Sequence, residues 1–219
     1  MESSQKALLI GSSGLIGSHC LQFLLSDPNF SEVEIWVRRS LNIDHPKLIE
    51  RIVDFSKPES FVPIKASTVF CCLGTTIDKA GNKDAFREVD YWHVLRVAKA
   101  AKQNGANMFL FVSSIGANSK SANFYLRTKG EIEDSLIELN FSALHIFRPS
   151  ILLGKRNEFR LGESIGKAIM QSIGFLLIGK ARKYRGVEAS QVAKVMIAAS
   201  KKDLQGTTFW ESDSIQTYK

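Results

Sequence analysis

Tyr125 and Lys129 stand four residues apart in the run Phe124-Tyr-Leu-Arg-Thr-Lys-Gly130. On a helix, residues at that spacing share a face. A phenol ionises only near pH 10, at about 10 unperturbed, which is too high for a base at neutral pH. A nearby ammonium group favours the phenolate. The pair is therefore suited to pass a proton to or from an oxygen. Just upstream, an apolar run ends in Val112-Ser-Ser114. Ser114 is placed to hold that oxygen by a hydrogen bond, with Ser113 as the alternative one position earlier. By itself, a Tyr–Lys pair at this spacing occurs on many surface helices.

A second feature lies far upstream. Gly11-Ser-Ser-Gly14-Leu-Ile-Gly17 follows the first apolar run. Glycines at such a turn allow a tight bend, a close approach of backbone to a pyrophosphate, and close helix–strand packing. The loop Gly11, Ser13, Gly14, Leu15, Ile16, Gly17 is expected to hold a dinucleotide at a helix N-terminus. Its spacing departs by one residue from G-x-G-x-x-G. After the second apolar run come Arg38 and Arg39, with no acid at the tip. An acid there would bond the ribose hydroxyl of NAD, whereas a guanidinium grips a 2′-phosphate. NADP(H) is thus expected over NAD(H). Asp54 and Phe55 follow the third run, where Asp54 either meets the adenine amino group or caps a turn. Cys72-Leu73-Gly74-Thr75 follows the fourth, and Gly74 would let backbone pass close to the cofactor. Lys129 is also placed to bond the nicotinamide ribose. A glycine loop, then Ser, then Tyr-x-x-x-Lys points to proton and hydride transfer with a nicotinamide.

Apolar strand-like runs alternate with helical patterns, which predicts βαβ units and a parallel sheet. Strands are expected at 7–10, 33–37, 48–53, 68–72, 108–112, 142–147 and 207–211. Helices are expected at 14–25, 83–103, 122–139, 162–173 and 190–201, with Asn104-Gly105 ending the second. The fold class is α/β: a doubly wound, mostly parallel Rossmann sheet of about seven strands with helices on both faces. Residues 1–219 read as one nucleotide-binding domain. The glycine-containing stretch from about residue 150 to 186 departs from the alternation. It is expected to shape the substrate pocket beyond the strand ends.

The composition excludes several classes. An apolar share of 44% and a charged share of 23% suit a soluble globular protein. No apolar run is long enough to span a bilayer, and the N-terminus lacks the pattern of a secretory signal. A cytoplasmic location is expected, without membrane insertion. Cys20, Cys71 and Cys72 form neither a disulfide framework nor a metal site. Cys71 and Cys72 read as buried structural thiols. The four histidines lack ligand spacing, so no metal is expected. The net charge of +7 is scattered apart from Lys180-Ala-Arg-Lys-Tyr-Arg185, and nucleic acid is not expected as a ligand.

The chain resembles the short-chain dehydrogenase/reductase superfamily along nearly its whole length. It is similar to the atypical branch that includes Tat-interacting protein. The resemblance is carried by Gly11 to Gly17, Phe70-Cys-Cys-Leu-Gly-Thr-Thr76 with Lys79-Ala-Gly81, Val112-Ser-Ser114, Ser121 to Gly130, and Phe147-Arg-Pro-Ser-Ile-Leu-Leu-Gly154. The Cys-Cys-Leu-Gly-Thr-Thr run is the part most specific to that branch. The resemblance implies an NADP(H) site, with Tyr125 as general acid/base, Lys129 its partner and Ser114 the oxygen-binding serine. It also implies that Pro149 and Ile151 lie near the nicotinamide carboxamide. Many superfamily members carry a relay Asn where this chain offers Asp90.

Three functions are compatible with these residues. The first is an oxidoreductase acting on a carbonyl or alcohol in a small-molecule substrate. The second is an NADPH-binding regulator of a protein partner with little turnover. The third is sugar-nucleotide epimerase or dehydratase chemistry, disfavoured by the short stretch after Pro149. A homo-oligomer is compatible with all three.

Overall fold

The computed structural model describes residues 5–154 and 184–218. Seven strands form one sheet: β1 (Gln5–Ile10), β2 (Phe30–Val37), β3 (Leu48–Ile52), β4 (Thr68–Cys71), β5 (Met108–Val112), β6 (Ala143–Arg148) and β9 (Gly206–Glu211). Their order across the sheet is β3-β2-β1-β4-β5-β6-β9, and every pairing is parallel. The order reverses between β1 and β4, so a crevice opens beyond the carboxyl ends of those strands. A separate ribbon pairs β7 (Leu152–Leu153) with β8 (Val187–Glu188).

The inner strands β4 and β5 are almost wholly apolar because both sheet faces are covered there, whereas the edge strands β3 and β9 are largely open. Alternate residues point to opposite faces. Ala7 and Leu9 join one core, with Ile16, Cys20 and Leu24 of α1 (Leu15–Ser26) and Val192 and Met196 of α6 (Ala189–Ser200). Leu8 and Ile10 join the other, with Val94 and Val97 of α4 (Val94–Gln103) and Ile132 and Leu136 of α5 (Phe124–Glu138). The seven expected strands are all present, with ends shifted by no more than a few residues. The expected helix at 162–173 and most of the basic run ending at Arg185 lie outside the described residues.

The expected helix at 83–103 is not uniform. It runs as α3 (Lys83–Arg87), a π-helical turn at Glu88–His93, and α4. Short α2 (Ile77–Ala80), with Thr76 capping its start, precedes it. A π turn inserts an extra residue into the helical ladder and re-aims the side chains within it. Here Asp90 and His93 are turned into the protein.

Two polar features brace the far end of the sheet. Arg148 makes a forked ion pair with buried Glu133 of α5, at 2.6 and 3.1 Å, and reaches Glu211 of β9 at 2.9 Å. Gln191 of α6 donates to the carbonyls of Ile215 and Tyr218, tying down α7 (Ser212–Thr217).

His145 lies in the middle of β6 with no exposure. Its Nδ1 accepts a hydrogen bond from the Trp210 indole at 3.3 Å, and its Nε2 has no partner among the described residues. Burial lowers its pKa. Protonation would place a second N–H against the indole N–H, so the folded state keeps the ring neutral. The unfolded chain takes up that proton below about pH 6.5 and the folded chain only at lower pH. Stability contributed by this ring is therefore present at neutral pH and falls as the pH drops through that window. The melting temperature is expected to fall between pH 7 and pH 5, with a shallower fall in His145→Leu.

Candidate active site

The glycine loop sits where β1 passes into α1, at the crevice. Gly11 has φ +81°, and a Cβ there would lie 2.6 Å from the carbonyl oxygen of Cys72. A Cβ on Gly17 would overlap the carbonyl of Gly11 itself. Both positions are restricted to glycine by backbone, which cannot move aside as a flexible side chain can. Gly14 caps α1 without a side-chain hydrogen bond, leaving the N–H groups of the first helical turn facing the loop. Ser12 is buried at 2% exposure, and its Oγ has no partner among the described residues. Ser13 is exposed, Leu15 half-buried and Ile16 buried. Buried glycine backbone, an uncapped helix start and an orphaned hydroxyl fit a pyrophosphate.

Arg38 and Arg39 lie exposed just past β2. Asp54 closes a turn, its carboxylate accepting the Ser56 N–H at 3.0 Å, which is the capping alternative. Phe55 is buried and packs against Phe61 and the ring of His93. The side chain of Phe55 thus belongs to the core beneath the crevice. Burial lowers the pKa of His93, partly opposed by Glu88.

The Cys72 to Thr75 turn follows β4, which ends one residue sooner than expected, at Cys71. Cys71 is buried, and burial pushes its thiol up to about 12. Cys72 is half-buried, with its Sγ 3.9 Å from that of Cys20. That contact, and then burial, raises its pKa. Both are protonated thiols at neutral pH. Leu73 packs against the core on the α4–α5 face. Gly74 is exposed, and a Cβ there would stand 3.4 Å from Asp90 Oδ1 and 3.7 Å from Lys129 Nζ. The Thr75 N–H donates to Asp90 Oδ2 at 2.8 Å.

Helix α5 begins at an Asn123 cap, whose side chain accepts the Leu126 N–H. Tyr125 lies in its first turn, half-buried, with its ring 5.5 Å from Phe86. Lys129 lies one turn on, 3% exposed, with its Nζ 2.8 Å from Asp90 Oδ1 and 5.2 Å from the Phe111 ring centre. Burial opposes the Lys129 charge, but attraction to Asp90 and then Tyr125 leaves its pKa raised. Past β5, the Ser113 N–H bonds the Phe147 carbonyl at 2.7 Å, and the Ile115 N–H bonds the Pro149 carbonyl at 2.9 Å. Ser113 is buried, and its Oγ has no partner among the described residues. Ser114 is half-buried, its hydroxyl making only a long 3.4 Å contact to the carbonyl of the next residue, Ile115. Pro149 is buried and Ile151 is exposed. The loop after β5 crosses α5 at Gly130, where a Cβ would overlap the backbone of Asn118 and Ser119.

Against known proteins, residues 7–134 match the model of the NAD dependent epimerase/dehydratase family. The chain belongs to this family. Within it, the chain falls in the Tat-interacting-protein-like branch of atypical short-chain dehydrogenases/reductases. It is 37% identical over 175 residues to Protein HTATIP2 of Rattus norvegicus, covering 78% of this chain and 72% of that one. It is 33% identical over 207 residues to Protein FMP52, mitochondrial, of Candida albicans, covering 90% of this chain and 89% of that one. The fold is similar to a UDP-glucose 4-epimerase of Thermotoga maritima solved with UDP-glucose, at TM-score 0.70 and 17% identity over 94% of this chain and 76% of that one. It is also similar to Bordetella bronchiseptica WbmH in complex with NAD+, at TM-score 0.69 and 16% identity over 95% and 75% of the two chains. The family is NAD(P)-binding, in keeping with the glycine loop. Among the described residues, no helix is long and apolar enough to cross a membrane, and no cluster of side chains is suited to hold a metal ion.

Asp90, an acid where many superfamily members carry a relay Asn, pairs directly with Lys129. A signal was present: Phe86, Asp90, Val94 and Val97 follow helical spacing, which puts an acid on an apolar stripe.

The loop geometry yields a paired prediction. Gly17→Ala is expected to cost more than about 3 kcal/mol, because two backbone segments collide. Gly105→Ala, at φ +83° with nothing within 4 Å of the added methyl, is expected to cost only about 1 kcal/mol. Urea unfolding of both variants measures the difference.

Proposed function

We propose that this chain is an NADP(H)-dependent oxidoreductase that interconverts a carbonyl and an alcohol in a small-molecule substrate. The observation that carries this reading is the buried Lys129, charged and one helical turn from Tyr125 at the carboxyl edge of the sheet. The glycine loop and first turn of α1 would hold the pyrophosphate. Arg38 and Arg39 would hold the 2′-phosphate. The Cys72 to Thr75 turn and Lys129 would hold the nicotinamide half, near Pro149 and Ile151. When bound, the nicotinamide supplies or accepts the hydride.

The chain's own residues handle the oxygen. Ser114 donates a hydrogen bond to it and fixes its position. Ser113 is the alternative, its buried hydroxyl lacking a partner among the described residues. In reduction, the Tyr125 phenol gives its proton to the carbonyl oxygen as the carbon gains hydride. In oxidation, the phenolate takes the proton back from the alcohol. The Lys129 ammonium stabilises that phenolate.

A second reading is favoured by the solved structures that resemble this fold, since several of them hold UDP-sugars. This chain spans about three-quarters of the UDP-glucose 4-epimerase chain. A sugar-nucleotide substrate would raise the melting temperature on addition of UDP-glucose, whereas a small carbonyl substrate predicts no shift. The regulator reading uses the same cofactor site and predicts partner binding that depends on NADPH and survives Tyr125→Phe. The mitochondrial designation of the fungal relatives stands beside the cytoplasmic location expected from the sequence. Cell fractionation decides between the two compartments.

Titration with NADPH and NADH tests the cofactor. NADPH is expected to bind at least about tenfold more tightly, and Arg38→Ala to remove most of that preference, as loss of a charged hydrogen bond would. Failure of either nucleotide to bind overturns the proposal. With a substrate found by carbonyl screening, Tyr125→Phe is expected to lower kcat by at least about a hundredfold, the scale of general acid–base catalysis. Nucleotide affinity should change little.

A further inference from the structure

The π-helical turn at Glu88–His93 delivers a fully buried carboxylate to a point that two parts of the site share. One oxygen of Asp90 pairs with Lys129 Nζ on α5 at 2.8 Å. The other accepts the Thr75 N–H, in the turn after β4, at 2.8 Å. Gly74 lies beside the pair, its Cβ position 3.4 Å from Asp90 Oδ1 and 3.7 Å from Lys129 Nζ. We propose that Asp90 is a positioning residue that locks the Lys129 ammonium and the Cys72 to Thr75 turn into one electrostatic unit beneath the nicotinamide half of the site. Its catalytic consequence rests on the oxidoreductase reading above, whereas the charge arrangement stands without it.

Among the described residues, the groups facing Lys129 are few. They are Asp90 from the π turn, Tyr125 from its own helix, Cys71 from β4, and the Phe111 ring from β5. Cys71 is a protonated thiol, so it supplies no compensating charge at neutral pH. The ring face attracts the cation weakly. Tyr125 compensates only while ionised. Asp90 is therefore the group that permits a 3% exposed ammonium throughout the catalytic cycle. A relay Asn could orient the lysine but could not balance its charge. The chain thus keeps Lys129 charged whichever way Tyr125 is protonated. The tie to Thr75 means that any displacement of the lysine moves the cofactor turn with it.

Lysine-selective carbon-13 NMR tests this without cofactor or substrate. The Lys129 signal, assigned by its loss in Lys129→Met, is followed against pH in the wild type and in Asp90→Asn. In the wild type it is expected to remain protonated up to at least about pH 10, near the ordinary lysine value. In Asp90→Asn the midpoint is expected to fall by at least about two pH units, as for a buried lysine without a counter-charge. In the same variant, NADPH affinity should weaken as pH rises through the new midpoint. A folded Asp90→Asn protein whose Lys129 titrates as in the wild type overturns the proposal. Should that variant fold too poorly for NMR, the double variant Asp90→Asn/Lys129→Met decides. Recovery of its melting temperature above that of Asp90→Asn supports the pairing, and no recovery overturns it. Absence of NADPH binding to the wild type would remove the oxidoreductase reading and leave the NMR result intact.

Discussion

The carbonyl of Cys72 lies so close to the α-carbon of Gly11 that no side chain fits between them. That contact joins the tips of β1 and β4, the two strands between which the sheet reverses direction. Gly17 then brings α1 down onto Gly11, leaving the helix start uncapped. The crevice exists because three stretches of backbone meet there without side chains. Everything chemical is arranged around its rim. Arg38 stands beyond β2, the Leu73 to Thr75 turn beyond β4, the serines beyond β5, and Pro149 beyond β6.

Much of this was legible in the sequence. Inner strands buried on both faces, such as β4 and β5, read as short apolar runs, and each of the seven strand-like segments became a strand of the sheet. Helix ends were marked by chemistry, as where Gly105 adopts φ +83° just after α4. The family followed from ordered motifs. Other features were not legible. The π turn leaves no trace in composition, since apolar spacing tolerates one extra residue. The ribbon of β7 and β8 pairs residues far apart in the chain through strands too short to carry a pattern. Whether Phe55 lines a pocket or fills a core depends on Phe61 and His93, which the local sequence does not bring near it.

Asp90 shows most clearly how a local departure gains meaning in three dimensions. In the sequence it is an acid where an amide is usual. In the structure it balances a buried charge and holds a backbone amide with its two oxygens. Burying one such charge alone would be prohibitive, and burying it against an opposite charge lowers that cost. On the other edge of the sheet, Arg148 and Glu133 follow the same rule, joining α5 to β6 while the ring of Phe209 lies against the guanidinium. Helix α5, which carries Tyr125, is thus held by ion pairs to the π turn through Lys129 and to the end of β6 through Glu133.

The ribbon also has an evolutionary consequence. Leu152 pairs with Val187, and the Ser150 hydroxyl bonds the Arg185 carbonyl, so the chain departs and re-enters through a single doorway. For a connection held at both ends, doubling its length adds only about 0.6 kcal/mol of closure entropy. Descendants of one ancestral scaffold could therefore vary the length between the two clamped ends without shifting where β8 and α6 begin.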